Sequence, residues 1–235
     1  MNISEVTSAG ITAIVALALL LVVGAYLFAP AYLRGTRREL TRSERLAAVA
    51  SSLGLAFSAN DPAFPGATPL HFPFELFSRG ERQLCENVMA GELDGVGVRA
   101  FDFLYFPDET NEPVRCSCVI VEIGGDVPHL VIEPASAVPE TPAAHDGTRV
   151  LLEWGAFNAR YRVFTRERSF AAALLDVPVM AWLMDSAPRT AITWETQRRY
   201  LLARAATCEP ETFAELIRGT VAFGRRVPKA AGTIA

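Results

Sequence analysis

Metal-ligating side chains are scarce in this 235-residue chain: His71, His129 and His145 are its histidines, and Cys85, Cys116, Cys118 and Cys208 its cysteines. A structural metal site needs four donors, usually gathered from close pairs such as C-x-x-C. The histidines are scattered and no such pair occurs, so no metal and no cofactor is expected. Cys116 and Cys118 stand two apart, which in a strand puts both on one face. Within CSCVIVEI, Cys118 reads as small apolar packing. Phosphate loops, G-x-S-x-G elbows and H-E-x-x-H helices are missing too. GVGV at residues 95–98 is only a turn running into a strand. No catalytic residue is therefore assigned.

Lysine is nearly absent: of 22 basic side chains only Lys229 is lysine. In so alanine-rich a chain this reads as the coding bias of a GC-rich genome, and no function follows from it. Residues 1–45 hold five Arg and three Glu, so the remainder has 22 − 5 = 17 basic and 26 − 3 = 23 acidic groups, a net of −6. A mildly acidic domain excludes nucleic acid as the main partner, because phosphate binding wants a basic patch.

The first ten residues also lack any Lys or Arg, and carry Glu5. A secretory signal would place positive charge there, ahead of a shorter apolar run. Instead, residues 11–29 run without a charge, and as a helix they span roughly 28 Å, near the thickness of the hydrocarbon core. The bases follow at Arg34, Arg37, Arg38, Arg42 and Arg45. Positive charge past the run puts that flank in the cytoplasm. The reading is a plasma-membrane, single-pass protein: a short extracytoplasmic N-terminus (1–10), a transmembrane helix (11–29), a basic juxtamembrane segment (30–40), a cytoplasmic domain (41–228) and a tail (229–235). The lipid bilayer is then one partner. Arg34, Arg37 and Arg38 sit at the membrane interface, where they fix topology or touch anionic lipid.

The segment 41–54 reads as a helix, with Thr41 and Glu44 as a capping box, Gly54 as the stop, and Leu46, Val49, Ala50 and Leu53 on one face. A helical turn is expected around residues 74–77. Two strands follow, joined at Asp94-Gly95, a hairpin signal. CSCVIVEI and HLVIEP read as two strands divided by a GGDVP turn, and RVLLEW and RYRVFT as two more. RSFAAALLDVPVMAWLMD is helical, kinked or restarted at Pro178. AITWET and RRYLLARA suggest two further strands. Pro210 opens a last helix with Phe213, Ile217 and Val221 along one face. The fold class is α+β, a mostly antiparallel sheet packed with about three helices. PDETNEP and the Pro- and Ala-rich stretch 134–147 are exposed loops.

Asp102 is the most suggestive single residue. Strand alternation places it on one face with Val98, Ala100, Leu104 and Phe106. A carboxylate among apolar neighbours must be paired or protonated, and such groups sometimes act as bases. The structural alternative is a partner such as an Arg from a neighbouring strand or a backbone amide. Arg99, Phe101, Phe103 and Tyr105 line the other face, as core or as a ligand wall. Arg160, Arg162, Arg166 and Arg168 alternate as an anion-binding strip or a solvated face. Trp154, Trp182 and Trp194 read as core anchors.

PFELFSRG (73–80), ENVMAGELDGVGVRAFDFLYF (86–106), CSCVIVEI (116–123), FNARYRV (157–163), SFAAALLD and MAWLMD (within 169–185) and FGRRVP (223–228) together resemble an uncharacterised, largely actinobacterial group of membrane-anchored proteins. In that group an N-terminal span precedes a cytoplasmic domain of unknown function. The resemblance implies that architecture and no activity. One departure is local: where the group has an acidic pair running into Phe-Asn, this chain has LEWGAFN, leaving Glu153 near Asn158.

The leading expectation is a non-enzymatic, membrane-tethered domain that binds a membrane or cytoplasmic protein. The alternative is an enzyme or small-ligand sensor with a pocket near Asp102, Tyr105 and Asn158.

Overall fold

The computed structural model describes residues 42–60, 72–107, 112–137, 147–185, 187 and 191–228. The expected span 11–29, Arg34, Arg37, Arg38, Thr41 of the capping box and the tail 229–235 lie outside these. Among the described residues no helix is long and apolar enough to cross a membrane.

Residues 42–53 form α1, closed by Gly54 at φ +72°, the left-handed geometry a helix stop favours. Strand β1 (Ala56–Asn60) follows, then a single 3-10 turn at Glu75–Ser78. Strands β2 (Glu81–Leu93) and β3 (Val96–Phe106) make the expected hairpin. Asp94 (φ 54°) and Gly95 (φ 78°) both take the positive φ that a two-residue turn of this kind demands.

The next strand departs from expectation. CSCVIVEI, GGDVP and HLVIEP are one element, β4, running from Val114 to Pro134. The Gly and Pro signals mark register shifts at residues 122–130 rather than a chain reversal. Then come β5 (Thr148–Val150), α2 (Gly155–Arg160), β6 (Tyr161–Thr165), α3 (Arg168–Leu174) and α4 (Val177–Asp185). The helical stretch restarts at Pro178, which lies in the first turn of α4, where its missing N–H is harmless. The two strands expected after residue 190 are likewise one, β7 (Ile192–Ala206), with Arg198 at φ 53° where it irregularly pairs Val127. The last helix, α5 (Pro210–Gly224), begins at Pro210. The sheet-rich α+β class thus stands, with five α-helices among the described residues against the three expected.

Pairing is antiparallel throughout, in the order β1-β2-β3-β4-β6-β5, and β7 pairs β4. Strand β4 meets β3 over residues 114–121 and β6 over 130–134 on one side, and β7 over 116–132 on the other. Two partial sheets therefore share one long β4–β7 ribbon.

Alternation along these strands explains why β3 and β4 are apolar almost continuously: both faces are covered. Val98, Ala100, Val119 and Val121 join a core with α1, α3, α4 and α5. Phe101, Phe103, Tyr105, Cys116, Cys118 and Ile120 face the opposite way, against Phe74, Leu76 and Phe77 of the 3-10 segment. Phe77 meets Phe103 edge-on at 5.1 Å. The band Phe101–Tyr105 is thus core. Trp194 is buried and meets Phe223 of α5 at 5.0 Å, while Trp182 stacks on that ring at 5.8 Å. Where α5 ends, a Cβ on Gly224 would sit 2.9 Å from Val121, so glycine permits the close approach to β4.

A clamped cleft as candidate functional site

The sequence candidates stand in separate settings. Asp102 is 1% exposed and opposite Ser117 in the β3–β4 register. Its Oδ1 accepts from Ser117 Oγ (3.0 Å) and its Oδ2 from Asn87 Nδ2 (2.9 Å). Asn87 reaches it from an irregularity in β2, at φ 54°. Ser117 Oγ in turn accepts the backbone N–H of Cys208 (3.0 Å), two residues before α5. This network ties β2, β3, β4 and the approach to α5. Two of its partners are neutral side chains, a kind not considered from sequence. A buried carboxylate satisfied in this way is a fastener. Tyr105 points to the opposite face, beside Phe103 at 5.6 Å.

Asn158 does something different. Its side-chain amide bonds Leu152 twice: Oδ1 accepts from Leu152 N–H (3.0 Å), and Nδ2 donates to Leu152 C=O (2.6 Å). The amide imitates a strand neighbour for Leu152, two residues beyond the end of β5. Leu152 is thereby held, and Leu151 is left 65% exposed.

That held segment is one wall of a cleft of about 480 Å³. Val150, Leu151, Leu152 and Glu153 form the wall, facing Arg168 and Ala172 of α3, Leu175 and Asp176 of the link, and Val177 and Met180 of α4. Val177 is 69% exposed, so the two most exposed large apolar side chains among the described residues line the same opening. An apolar lining with a few polar groups is the ordinary character of a ligand cleft, and the volume is in the usual range of about 300–1,000 Å³.

Both ends of α4 are fixed. Asp176 Oδ1 accepts the N–H of Val179 (2.9 Å), an N-terminal cap. At the other end Tyr161 Oη donates to Leu183 C=O (3.1 Å) and Arg160 Nη1 to Met184 C=O (3.0 Å), satisfying carbonyls that a helix end leaves open. Burial raises the Tyr161 phenol above its ordinary range, and neighbouring Arg160 works against that. Asn158, Arg160 and Tyr161, within four residues of one another, thus position both sides of the cleft.

The other arginines do not form a strip. Arg162 pairs with buried Glu133 (Nε to Oε1, 2.7 Å), Arg160 serves α4, and Arg168 lines the cleft. Cys118 sits 3.7 Å from Cys116 Sγ, and burial, then the Cys116 bond, holds its thiol well above the usual range. His129 pairs with Glu195 across β4 and β7 (2.9 Å). Among the described residues no group of three or more His, Cys, Asp or Glu is placed to hold a metal.

Sequence reasoning passed over Leu151, Leu175 and Met180, and the helical period set Val177 on one stripe with Phe170, Leu174 and Ala181, whereas it is exposed at the cleft. The signal for Leu151 was present: VLL at 150–152 puts three apolar residues in succession on an edge strand, and they cannot all face one core. For Val177 the stripe misled because the chain breaks between α3 and α4, so one helical period does not run through both.

No family model matches the chain, and no curated protein matches it. Among solved structures it is similar to the crystal structure of the mycobacterial trehalose monomycolate transport factor A, TtfA, with a TM-score of 0.58 and 14% identity over 80% of this chain and 97% of that chain. At that identity the likeness is one of fold, and it spans nearly the whole of the transport factor's solved chain.

Proposed function

We propose that this chain is a non-enzymatic accessory protein of a membrane transport process, tethered by residues 11–29 with its domain in the cytoplasm, and that it works by binding a protein of that process. The observation that carries this reading is the likeness of fold to a transport factor over 97% of that factor's solved chain. The cleft supports it by supplying an apolar surface open to a partner. Arg34, Arg37 and Arg38 take the membrane interface in this proposal, and residues 30–40 connect span and domain.

Full-length tagged protein, extracted from its native cells in mild detergent, tests it against the same protein lacking residues 1–38. A stoichiometric partner retained with the span supports the reading and names the process. A partnerless preparation that turns over a metabolite refutes it.

A small-ligand sensor is the second reading, and the cleft volume of about 480 Å³ favours placing its pocket there. Asn158 then acts as a positioning residue through Leu152, whereas Asp102 and Tyr105 do not line that cleft.

A further inference from the structure

Strand β5 is the last in the sheet order and, among the described residues, pairs with β6 alone. In an antiparallel strand alternate residues turn their N–H and C=O groups away from the partner, so β5 offers backbone donors and acceptors along its outer edge. The chain leaves that edge at Val150 and becomes the cleft wall with no intervening turn. Among the described residues, a strand edge without a second partner strand and an apolar trough are thus continuous.

The charges at the trough narrow the occupant. Asp176 is committed to capping Val179. Glu153 and Asp176 set two negative charges against the one positive charge of Arg168, so the trough has nothing to attract an anionic headgroup or a phosphate. An uncharged backbone bearing an apolar side chain complements it. An acyl chain would fill the trough and leave the strand edge unpaired, whereas an extended peptide satisfies both at once.

Resting on the protein-binding reading above, we propose that β5 and the cleft form a docking groove for an extended segment of the partner. The segment adds as a strand to β5 and seats an apolar side chain over Leu151, Leu175, Val177 and Met180. Backbone bonding supplies the register, and the trough supplies the preference for an apolar side chain on alternate residues.

The probe is a displayed library of short random peptides panned against the full-length protein in detergent, followed by anisotropy measurements with the enriched peptide. Leu151→Asp and Val177→Asp alter side chains already more than half exposed, and Leu84→Asp, on an apolar residue of β2 outside the cleft, is the control. Expected are sequences with apolar residues at i and i+2, and binding weakened about ten-fold or more by either cleft substitution, the scale of a groove anchor. The control should bind as wild type, and N-methylation of alternate peptide nitrogens should abolish binding in one register only. No enriched peptide, anchors spaced three and four apart, or equal loss in both N-methyl registers overturns the groove. So does binding indifferent to both cleft substitutions. The two proposals fail separately: a co-purifying partner kept by the Leu151→Asp and Val177→Asp proteins sinks the groove alone, and a partnerless wild type sinks the function.

Discussion

Replacing Asn158 by alanine removes both hydrogen bonds that hold Leu152, the 3.0 Å bond to its N–H and the 2.6 Å bond to its C=O. Each such bond contributes about 1 kcal/mol net, and Leu152 is only partly buried, so water replaces some of what is lost. The sum is about 2 kcal/mol, which in a domain of this size lowers Tm by roughly 4–8 °C. Asn158→Asp separates the two bonds, since it keeps an acceptor for the N–H but sets a carboxylate oxygen against the carbonyl of Leu152. It should lose at least half as much stability as the alanine variant. Urea unfolding followed by tryptophan fluorescence gives the magnitude, and amide exchange of the peptide containing Leu152 gives the location. Faster exchange at Leu152 is expected for the Ala variant and not for Asp, because Asp still accepts from that N–H. An alanine variant within about 0.5 kcal/mol of wild type, the ordinary spread of surface changes, would refute the clamp.

Asp102→Ala removes the acceptor that Asn87 Nδ2 and Ser117 Oγ share and should cost about 2–4 kcal/mol by denaturant titration, whereas an effect below about 1 kcal/mol would mean the network carries little. Tyr161→Phe frees the Leu183 carbonyl for about 1 kcal/mol, read in the same titration. Because the folded phenol titrates above the unfolded one, that site's share of stability is full below the unfolded value near 10 and falls as pH rises through the folded one, a loss the Phe variant should lack. Glu211 behaves oppositely: a hydrogen bond to its own backbone N–H, then Arg45, lowers its pKa. Its contribution is present above the unfolded value and lost as pH falls through the folded one, and it should vanish in Glu211→Gln when stability is followed through that acid window. Cys118, buried and held neutral, should react with iodoacetamide only after denaturation, and rapid native labelling would contradict the packing.

How much of this was legible depended on how far the information had to travel along the chain. Asp94-Gly95 announces the β2–β3 turn because positive φ at two successive residues is a local demand. Pro210 and the apolar face of α5 are equally local. GGDVP misled for a physical reason: Gly and Pro report that regular pairing is interrupted, and a bulge interrupts it as well as a turn does. The short helix α2 has no side-chain cap and only six residues, so neither period nor boundary marks it. Asp102 was recognisable as a carboxylate needing partners, but Asn87 and Ser117 each lie 15 residues away, supplied by bulge and register. Asn158 was singled out, while its task was hidden because it acts on the backbone of Leu152. The cleft was least visible of all. It belongs to no single element, and it exists only where residues 150–153 meet residues 168–180 in space.

The shared β4–β7 ribbon bears on how the chain is made. Cys116 is paired with Ala206, 90 residues later, so β4 emerges during synthesis long before its partner. Until β7 arrives, both partial sheets are missing the same strand, and neither can close without the other. Assembly governed by such distant pairing is slow, on the scale of roughly milliseconds to seconds for β-rich domains. The two halves should then rise and fall together as one cooperative unit, and a nascent chain stalled before Ile192 would leave the apolar edge of β4 uncovered, in need of a chaperone's shelter.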